Sequence, residues 1–439
     1  MLLSNRLLIL LLCFWGILHA QTPVSPASLK VPAGAQAGPA FDPESATRAY
    51  LSTWKADQKA RSDSYFEGGY WLLLWDFLYA SAISVLLLQT RFSVRMRDLA
   101  ERLTRRSPLT IWLYWAQYLL VTFVLGAPLA IYEGFFRERQ YGLMNQTFAA
   151  WVVDQFKSLA IGVVLGGLAV MALFGIVRRL HRSWHIWAAG AAILFVIFGA
   201  LIGPVFIAPL FNQYTLLKDP TIRDPILRVA RQNGIPATDV YQVDASRQSN
   251  RISANVSGFL GTERITLNDN LLKRASPQAI LAVMGHEMGH YALNHVYKMI
   301  SFLAILFAAF FALLRWGLDW SLARWGERWQ IRDVTDPTVL PLAALILGLL
   351  FFLATPIQNT LVRTQEYEAD IFGINTSRQP DGFAEAALLL GEYRKLDPGK
   401  WEEMVFFDHP SGHTRIFSAM RWKAENQCLT DAVDPCGRQ

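Results

Sequence analysis

Charged residues are scarce in this chain. Only 17% of its 439 residues are Asp, Glu, Lys or Arg, whereas 53% are hydrophobic and 13% are aromatic. Soluble globular domains carry about 25% charged residues. The composition therefore excludes an ordinary soluble enzyme and favours an integral membrane protein. The net charge of +6 does not indicate a nucleic-acid partner, because arginines in short loops between membrane segments account for it.

Cysteine is also scarce, with three residues in the chain. Cys13 lies in the apolar N-terminal run, and Cys428 and Cys436 lie close together in the polar tail. A pair in a tail suits a disulfide in an oxidising compartment, with two free thiols as the alternative. Internal repeats are not evident either, which argues against a transporter built from inverted repeats.

Residues 1–20, "MLLSNRLLILLLCFWGILHA", are typical of a secretory signal peptide. Arg6 precedes an apolar run that ends at Leu18, and Ala20 precedes a polar stretch. The run is short for a membrane span. Because Leu18 at the −3 position is poor for cleavage, a retained, short first membrane helix is the alternative.

Six apolar segments are each long enough to cross a bilayer, which takes about 20 residues. They are residues 70–89, 109–131, 158–177, 186–206, 296–314 and 339–361. The predicted organisation is a polar N-terminal segment (21–69), four membrane helices with their loops (70–206), an insert (207–295), two further membrane helices (296–361) and a C-terminal region (362–439). Since two spans separate the insert from the C-terminal region, both lie on the same side of the membrane.

Loop charge predicts which side that is. Loops 91–108, 178–185 and 315–332 share one side and carry thirteen arginines, whereas loop 132–157 on the other side carries three basic residues. Basic loops stay in the cytoplasm. The insert and the C-terminal region are therefore expected outside it.

Within the insert, three segments are typical of strands and are followed by a helix. The strands are expected at 239–245, 251–259 and 263–269, with Gly258 and Gly261 at a turn. The helix is expected to begin at the N-cap Ser276 and Pro277.

That helix carries His286, Glu287 and His290 in the order H-E-x-x-H. Residues i and i+4 share a helix face, so both histidines can bind one zinc ion. Glu287 lies beside them, where it can act on a water in the open position of the metal. The alternative is an inert helix, because short motifs also arise by chance.

A second motif, "RTQEYEADIFG", follows the sixth span on the same side of the membrane. Glu366 and Asp370 in it again have i,i+4 spacing. A catalytic zinc takes three protein ligands, and a carboxylate suits the third position. The other carboxylate can orient a ligand histidine through its second ring nitrogen.

Five motifs in order together resemble the M48 metallopeptidases of the Ste24 type, the CAAX prenyl protease 1 group. They are "FFRERQYGLMNQT", "FIAPLFNQYTLL", "MGHEMGHYALNH", "VRTQEYEADIFG" and "FDHPSGHTRI". The resemblance runs from about residue 70 to 420. It implies a mainly α-helical polytopic membrane protein with a small α/β zincin-type (gluzincin) peptidase domain, and a hollow chamber of seven membrane helices.

The resemblance also implies roles for single residues. Glu366 is the implied third zinc ligand and Asp370 its supporting carboxylate. His409 and Arg415 match the histidine and arginine that stabilise the oxyanion. Asn255 matches an asparagine on an edge strand that aligns the substrate by β-augmentation, with a purely structural strand residue as the alternative.

Three further side chains are given no part in the chemistry. His295 and His413 match no motif residue and are expected at the surface or at an interface. Asp76, within the first span, is expected near the outer membrane interface.

The sequence thus predicts an integral-membrane metalloendopeptidase with one zinc ion per chain. Its expected substrates are exported or membrane-associated peptides or proteins, with or without a lipid modification. Its expected place is the bacterial inner membrane, with the site facing the periplasm. The alternatives are a cytosol-facing CAAX-type protease that retains residues 1–20, and a non-catalytic membrane chaperone or scaffold. Substrate sequence and oligomeric state are left open.

Overall fold

The computed structural model describes residues 31–257 and 264–426. The proposed signal peptide, the turn at Gly258 and Gly261, and the cysteines Cys428 and Cys436 lie outside the described residues. Those expectations therefore stay predictions.

Helices dominate the described part of the chain. In chain order they are α1 (Pro43–Leu51), α2 (Ala56–Gln89), α3 (Phe92–Leu103), α4 (Ser107–Gln140), α5 (Phe148–Arg179), α6 (Trp184–Leu210), α7 (Pro220–Gln232), α8 (Asp269–Arg274), α9 (Pro277–Ala292), α10 (His295–Trp329), α11 (Pro337–Ser377), α12 (Pro380–Leu390), α13 (Lys400–Phe406) and α14 (Gly412–Glu425). Helices α2, α4, α5, α6, α10 and α11 are long and apolar enough to cross a membrane. Each of these six helices contains one of the six predicted apolar segments.

A small mixed sheet lies in the insert. Its strands are β1 (Tyr214–Leu216), β2 (Val240–Val243), β3 (Ala254–Ser257) and β4 (Arg264–Asn268), in the spatial order β1-β2-β4-β3. β2 and β4 are parallel, and the outer strands are antiparallel to their neighbours. β2, β3 and β4 lie in the three predicted segments, whereas β1 was not predicted.

Helix α9 packs on this sheet. Between them lies a core that includes Ile265, Leu267, Ile280, Met284 and Met288, each at most 2% exposed. Burying such a side chain stabilises the fold by about 1.5–3 kcal/mol. This core fixes the face of α9 that looks away from the sheet, toward α11.

The start of α9 follows the predicted capping. The Ser276 hydroxyl accepts a hydrogen bond from the Ala279 N–H, and Pro277 lies in the first turn of the helix. At the other end, Asn294 adopts a left-handed conformation (φ 57°). Asparagine tolerates this conformation better than most residues. The turn at Asn294 separates α9 from α10, which begins at His295.

The helix of the sixth span does not end at the predicted residue 361. α11 continues to Ser377, because "RTQEYEAD" contains neither glycine nor proline and Gly373 beyond it packs closely on α9. It ends at Arg378, which is left-handed (φ 53°) and lies shortly before Pro380. One continuous helix therefore runs from the membrane segment into the site.

A cavity of about 650 Å³ lies among the membrane helices α2, α4 and α11. Phe77, Tyr118 and Phe351 line it together with two carboxylates, Asp76 and Glu133. Asp76 faces this cavity, and its expected place near the outer membrane interface stays a prediction.

Candidate metal and peptidase site

Glycines allow α9 and α11 to approach each other at the site. A Cβ built on Gly373 of α11 would lie 2.6 Å from the backbone nitrogen of His286. A Cβ on Gly285 of α9 would lie 2.8 Å from the Gly373 carbonyl oxygen. Real Cβ atoms essentially never approach that closely. The close contact brings the H-E-x-x-H face of α9 against the carboxylates of α11.

Three predicted ligand residues meet at this contact. Nε2 of His286 and Nε2 of His290 are 3.2 Å apart. The Glu366 carboxylate lies 3.2 Å from Nε2 of His286 and 3.4 Å from Nε2 of His290. A tetrahedral zinc with ligands at 2.0–2.1 Å has ligand–ligand edges of about 3.3 Å. The three side chains therefore fit one metal ion, and their role as ligands stays a prediction.

The other nitrogen of His286 contacts a carboxylate, as the second motif predicts. Nδ1 of His286 lies 2.7 Å from Oδ1 of Asp370, which is 1% exposed. Arg415 is also buried, and its Nε donates to Oδ2 of Asp370 at 2.9 Å. Its contacts therefore position Asp370 and, through it, His286. The expected role of Arg415 at the oxyanion stays a prediction.

His409 contacts the same oxygen of Glu366 as His286 does. Its Nε2 is 3.2 Å from Oε2 of Glu366, and its Nδ1 is 2.8 Å from Asp408. Arg394, which was not predicted, places Nη2 3.4 Å from Nε2 of His409. Its buried Nη1 has no hydrogen-bond partner among the described residues. The sequence around Arg394 contains no motif that could have indicated it.

His295 and His413 were both expected at the surface or at an interface. His295 is instead only 3% exposed, and its Nδ1 lies 2.9 Å from Nδ1 of His290, so that prediction is wrong. Its position five residues after His290 does not indicate this contact, because a continuous helix would direct the two side chains apart. His413 is half-buried, and its nearest carboxylate, at 3.9 Å, belongs to Glu44.

A cavity of about 350 Å³ opens over the site. His286, Glu287 and Arg394 line it together with the start of β3. Asn255 is exposed on β3, opposite Thr266 of β4, and β3 is an edge strand among the described residues. The position is compatible with an added substrate strand, and the role of Asn255 stays a prediction.

Comparison with known proteins agrees with this geometry. Residues 216–423 match the family model described as "Peptidase family M48", and residues 48–213 match "CAAX prenyl protease N-terminal, five membrane helices". The uncharacterized metalloprotease YhfN of Bacillus subtilis is 31% identical over 300 residues, which cover 68% of this chain and 70% of that protein. The chain belongs to peptidase family M48.

Other relatives and a solved structure extend the match. CAAX prenyl protease 1 of Saccharomyces cerevisiae is 29% identical over 57% of this chain and 58% of its own length. The crystal structure of S. mikatae Ste24p superposes with a TM-score of 0.71 at 21% identity, over 84% of this chain and 89% of that one. The fold class expected from the motifs is confirmed. This M48 peptidase is an integral-membrane metalloprotease of the Ste24 type.

Burial and neighbouring charges separate the pKa values in the M48 site. Burial lowers the pKa of His286, but its hydrogen bonds with Asp370 and Glu366 outweigh burial and raise that pKa to about 9. Burial raises the pKa of Glu287 to about 7. Burial and the charge of His286 lower the pKa of His290 to about 4. In the metal-free protein at pH 7, His286 therefore carries a proton and His290 does not.

Binding of a divalent metal ion at pH 7 is expected to release about one proton from His286, because a ligand histidine is neutral. The part of this release that comes from His286 falls toward zero as the pH rises above 9, where His286 has already lost its proton. Calorimetric titration in two buffers of different ionisation enthalpy measures this number. Metal binding at pH 7 without proton release would contradict the assignment of a protonated His286.

Proposed function

We propose that the chain is a zinc-dependent endopeptidase of the bacterial inner membrane whose site faces the periplasm. The observation that carries the proposal is the ligand triangle of His286, His290 and Glu366, with edges of 3.2–3.4 Å, beside Glu287 in an open cavity. Two imidazoles and one carboxylate suit zinc and leave its fourth position for water. One ion per chain is expected.

A metal ion held by His286, His290 and Glu366 would serve as a Lewis acid that polarises the scissile carbonyl and lowers the pKa of a water molecule. Glu287 accepts the proton of the attacking water and passes it to the leaving amine, and a pKa near 7 suits both steps. His409, whose Nε2 lies 3.2 Å from Oε2 of Glu366, is the proposed donor to the developing oxyanion. The peptide extends β3 as an added strand beside Asn255.

We propose exported or membrane-associated proteins as substrates, with or without a lipid modification. The charge of the loops supports this assignment, because thirteen arginines fall in the loops predicted on the side opposite to the site. The yeast relative is named a CAAX prenyl protease, so a cytosol-facing protease is the alternative. A non-catalytic scaffold has no use for the complete set of ligands with a general base, which argues against it.

The function is tested with the full chain purified in detergent. We expect about one zinc per chain by mass spectrometry of the metal. We also expect the protein to cleave internal bonds of the peptides in a mixture. The chelator 1,10-phenanthroline should abolish cleavage, and added zinc should restore it. Metal-free protein that cleaves at the same rate would contradict a metallopeptidase, and zinc-loaded protein that cleaves nothing would support the scaffold.

The orientation is tested through Cys428 and Cys436. In intact cells we expect a membrane-impermeant maleimide to label these cysteines only after a mild reductant, because a periplasmic pair forms a disulfide. A variant with both cysteines changed to serine controls for labelling elsewhere. Labelling that requires cell lysis would place the site in the cytosol and favour the CAAX-type alternative.

A further inference from the structure

α11 presents three carboxylates at alternate positions, and each is directed to a different part of the site. Glu366 faces Nε2 of both ligand histidines, and Asp370 contacts Nδ1 of His286 directly. Glu368 lies between them in sequence, roughly 200° around the helix from Glu366. It cannot contact the ligand triangle from there, and the described structure places His295 in the gap.

His295 joins Glu368 to the ligand His290. Nδ1 of His295 is 2.9 Å from Nδ1 of His290, and Nε2 of His295 is 3.1 Å from Oε2 of Glu368. His290 directs Nε2 at the ligand triangle, so its proton is on Nδ1 and is donated to His295. His295 then accepts at Nδ1 and donates from Nε2 to the carboxylate. This is the one arrangement of protons that satisfies both imidazoles while Nε2 of His290 stays free for a metal.

The outer end of this chain of hydrogen bonds is accessible to solvent. The Glu368 side chain is 42% exposed and forms an ion pair with Lys298 at 2.6 Å. The Asp370 side chain, which supports His286, is 1% exposed and is fixed by Arg415. The two ligand histidines thus have different supports, one buried and rigid, the other extended by one imidazole to the surface.

We propose that His295 is a positioning residue that holds His290 in the metal-binding tautomer and transmits the charge of Glu368 to it. A carboxylate behind a ligand histidine makes that ligand more basic, and loss of such a partner typically weakens metal binding 10- to 100-fold. Lys298 shares the carboxylate and moderates the effect. The inference rests on the proposed zinc site, but it does not depend on peptide cleavage.

The test measures zinc affinity by competition with a chromophoric chelator. For His295→Phe, which keeps a ring in the buried space, we expect affinity to fall about 10- to 100-fold. Glu368→Gln keeps an acceptor oxygen but removes the charge, so a smaller loss is expected. Lys298→Met should strengthen binding. In cobalt-loaded protein, the d–d absorption bands should shift for His295→Phe, since the ligand field at His290 changes.

His413→Gln is the matched control, because this half-buried histidine lies outside the ligand cluster; its zinc affinity should equal that of the unchanged chain. If His295→Phe does not fold, Glu368→Gln still tests the proposal, because Glu368 lies at the protein surface. Unchanged zinc affinity in Glu368→Gln, and in His295→Phe if it folds, would overturn the proposal. A chain that binds zinc with the expected differences but cleaves no peptide would contradict the proposed function and leave this inference standing.

Discussion

Glu287→Gln should retain zinc and lose peptide cleavage by about 10²- to 10⁴-fold, the usual contribution of a general acid–base residue. The amide occupies nearly the same volume, but it cannot accept the proton of the attacking water. The three ligand side chains are unchanged, so the metal content should be unchanged as well. The measurement is kcat/KM for one peptide substrate, together with the zinc content of the same preparation.

Glu425→Gln is the matched control, since Glu425 pairs with Arg421 at the surface of α14 and should retain full activity. Turnover by Glu287→Gln within tenfold of the unchanged chain would exclude Glu287 as the base. Loss of zinc together with activity would mean that Glu287 shapes the ligand cluster, and the missing metal would then explain the lost cleavage.

The features that were predictable from sequence depend on neighbours along the chain. An apolar run of 20 residues identifies a membrane helix wherever it packs. Ser276 and Pro277 define a helix start through local hydrogen bonding. The spacing of His286 and His290 places both on one helix face. None of these inferences requires knowledge of a distant contact.

The position of His295 could not be predicted from neighbours along the chain. Five residues along a continuous helix rotate a side chain by roughly 140°, so His295 would point away from His290. The left-handed Asn294 interrupts the helix and brings His295 back toward the site. Asparagine permits that conformation without requiring it, so the sequence does not predict the turn.

Arg394 and the length of α11 have a related cause. Arg394 lies in the loop that follows α12, and its contact with His409 joins that loop to the loop before α14. The extension of α11 beyond the apolar run depends on its packing against α9 as well as on helix propensity. Such tertiary contacts decide structure where local preferences are weak.

The same packing leads to a second large effect, at Gly373. In Gly373→Ala the new Cβ would lie 2.6 Å from the nitrogen and 2.8 Å from the Cα of His286. Both are backbone atoms, so no side-chain rotation relieves the contact and α9 must move away from α11. Overpacking of this kind costs about 1–3 kcal/mol. A shift of about 1 Å at a catalytic centre lowers turnover about 10²-fold.

Gly348→Ala is the matched control on the same helix, because a Cβ there meets nothing within 4 Å. Alanine is the better helix former by about 1 kcal/mol, so Gly348→Ala should have unchanged or slightly higher thermal stability and normal zinc affinity. Gly373→Ala gains the same helix propensity. Any loss of thermal stability or zinc affinity relative to Gly348→Ala therefore measures the effect of the close contact between α9 and α11. If both variants bind zinc equally well, the ligand triangle does not depend on the close approach of α9 and α11. Glu366 would then keep its contact with His286, now 3.2 Å, even after α9 and α11 have moved apart.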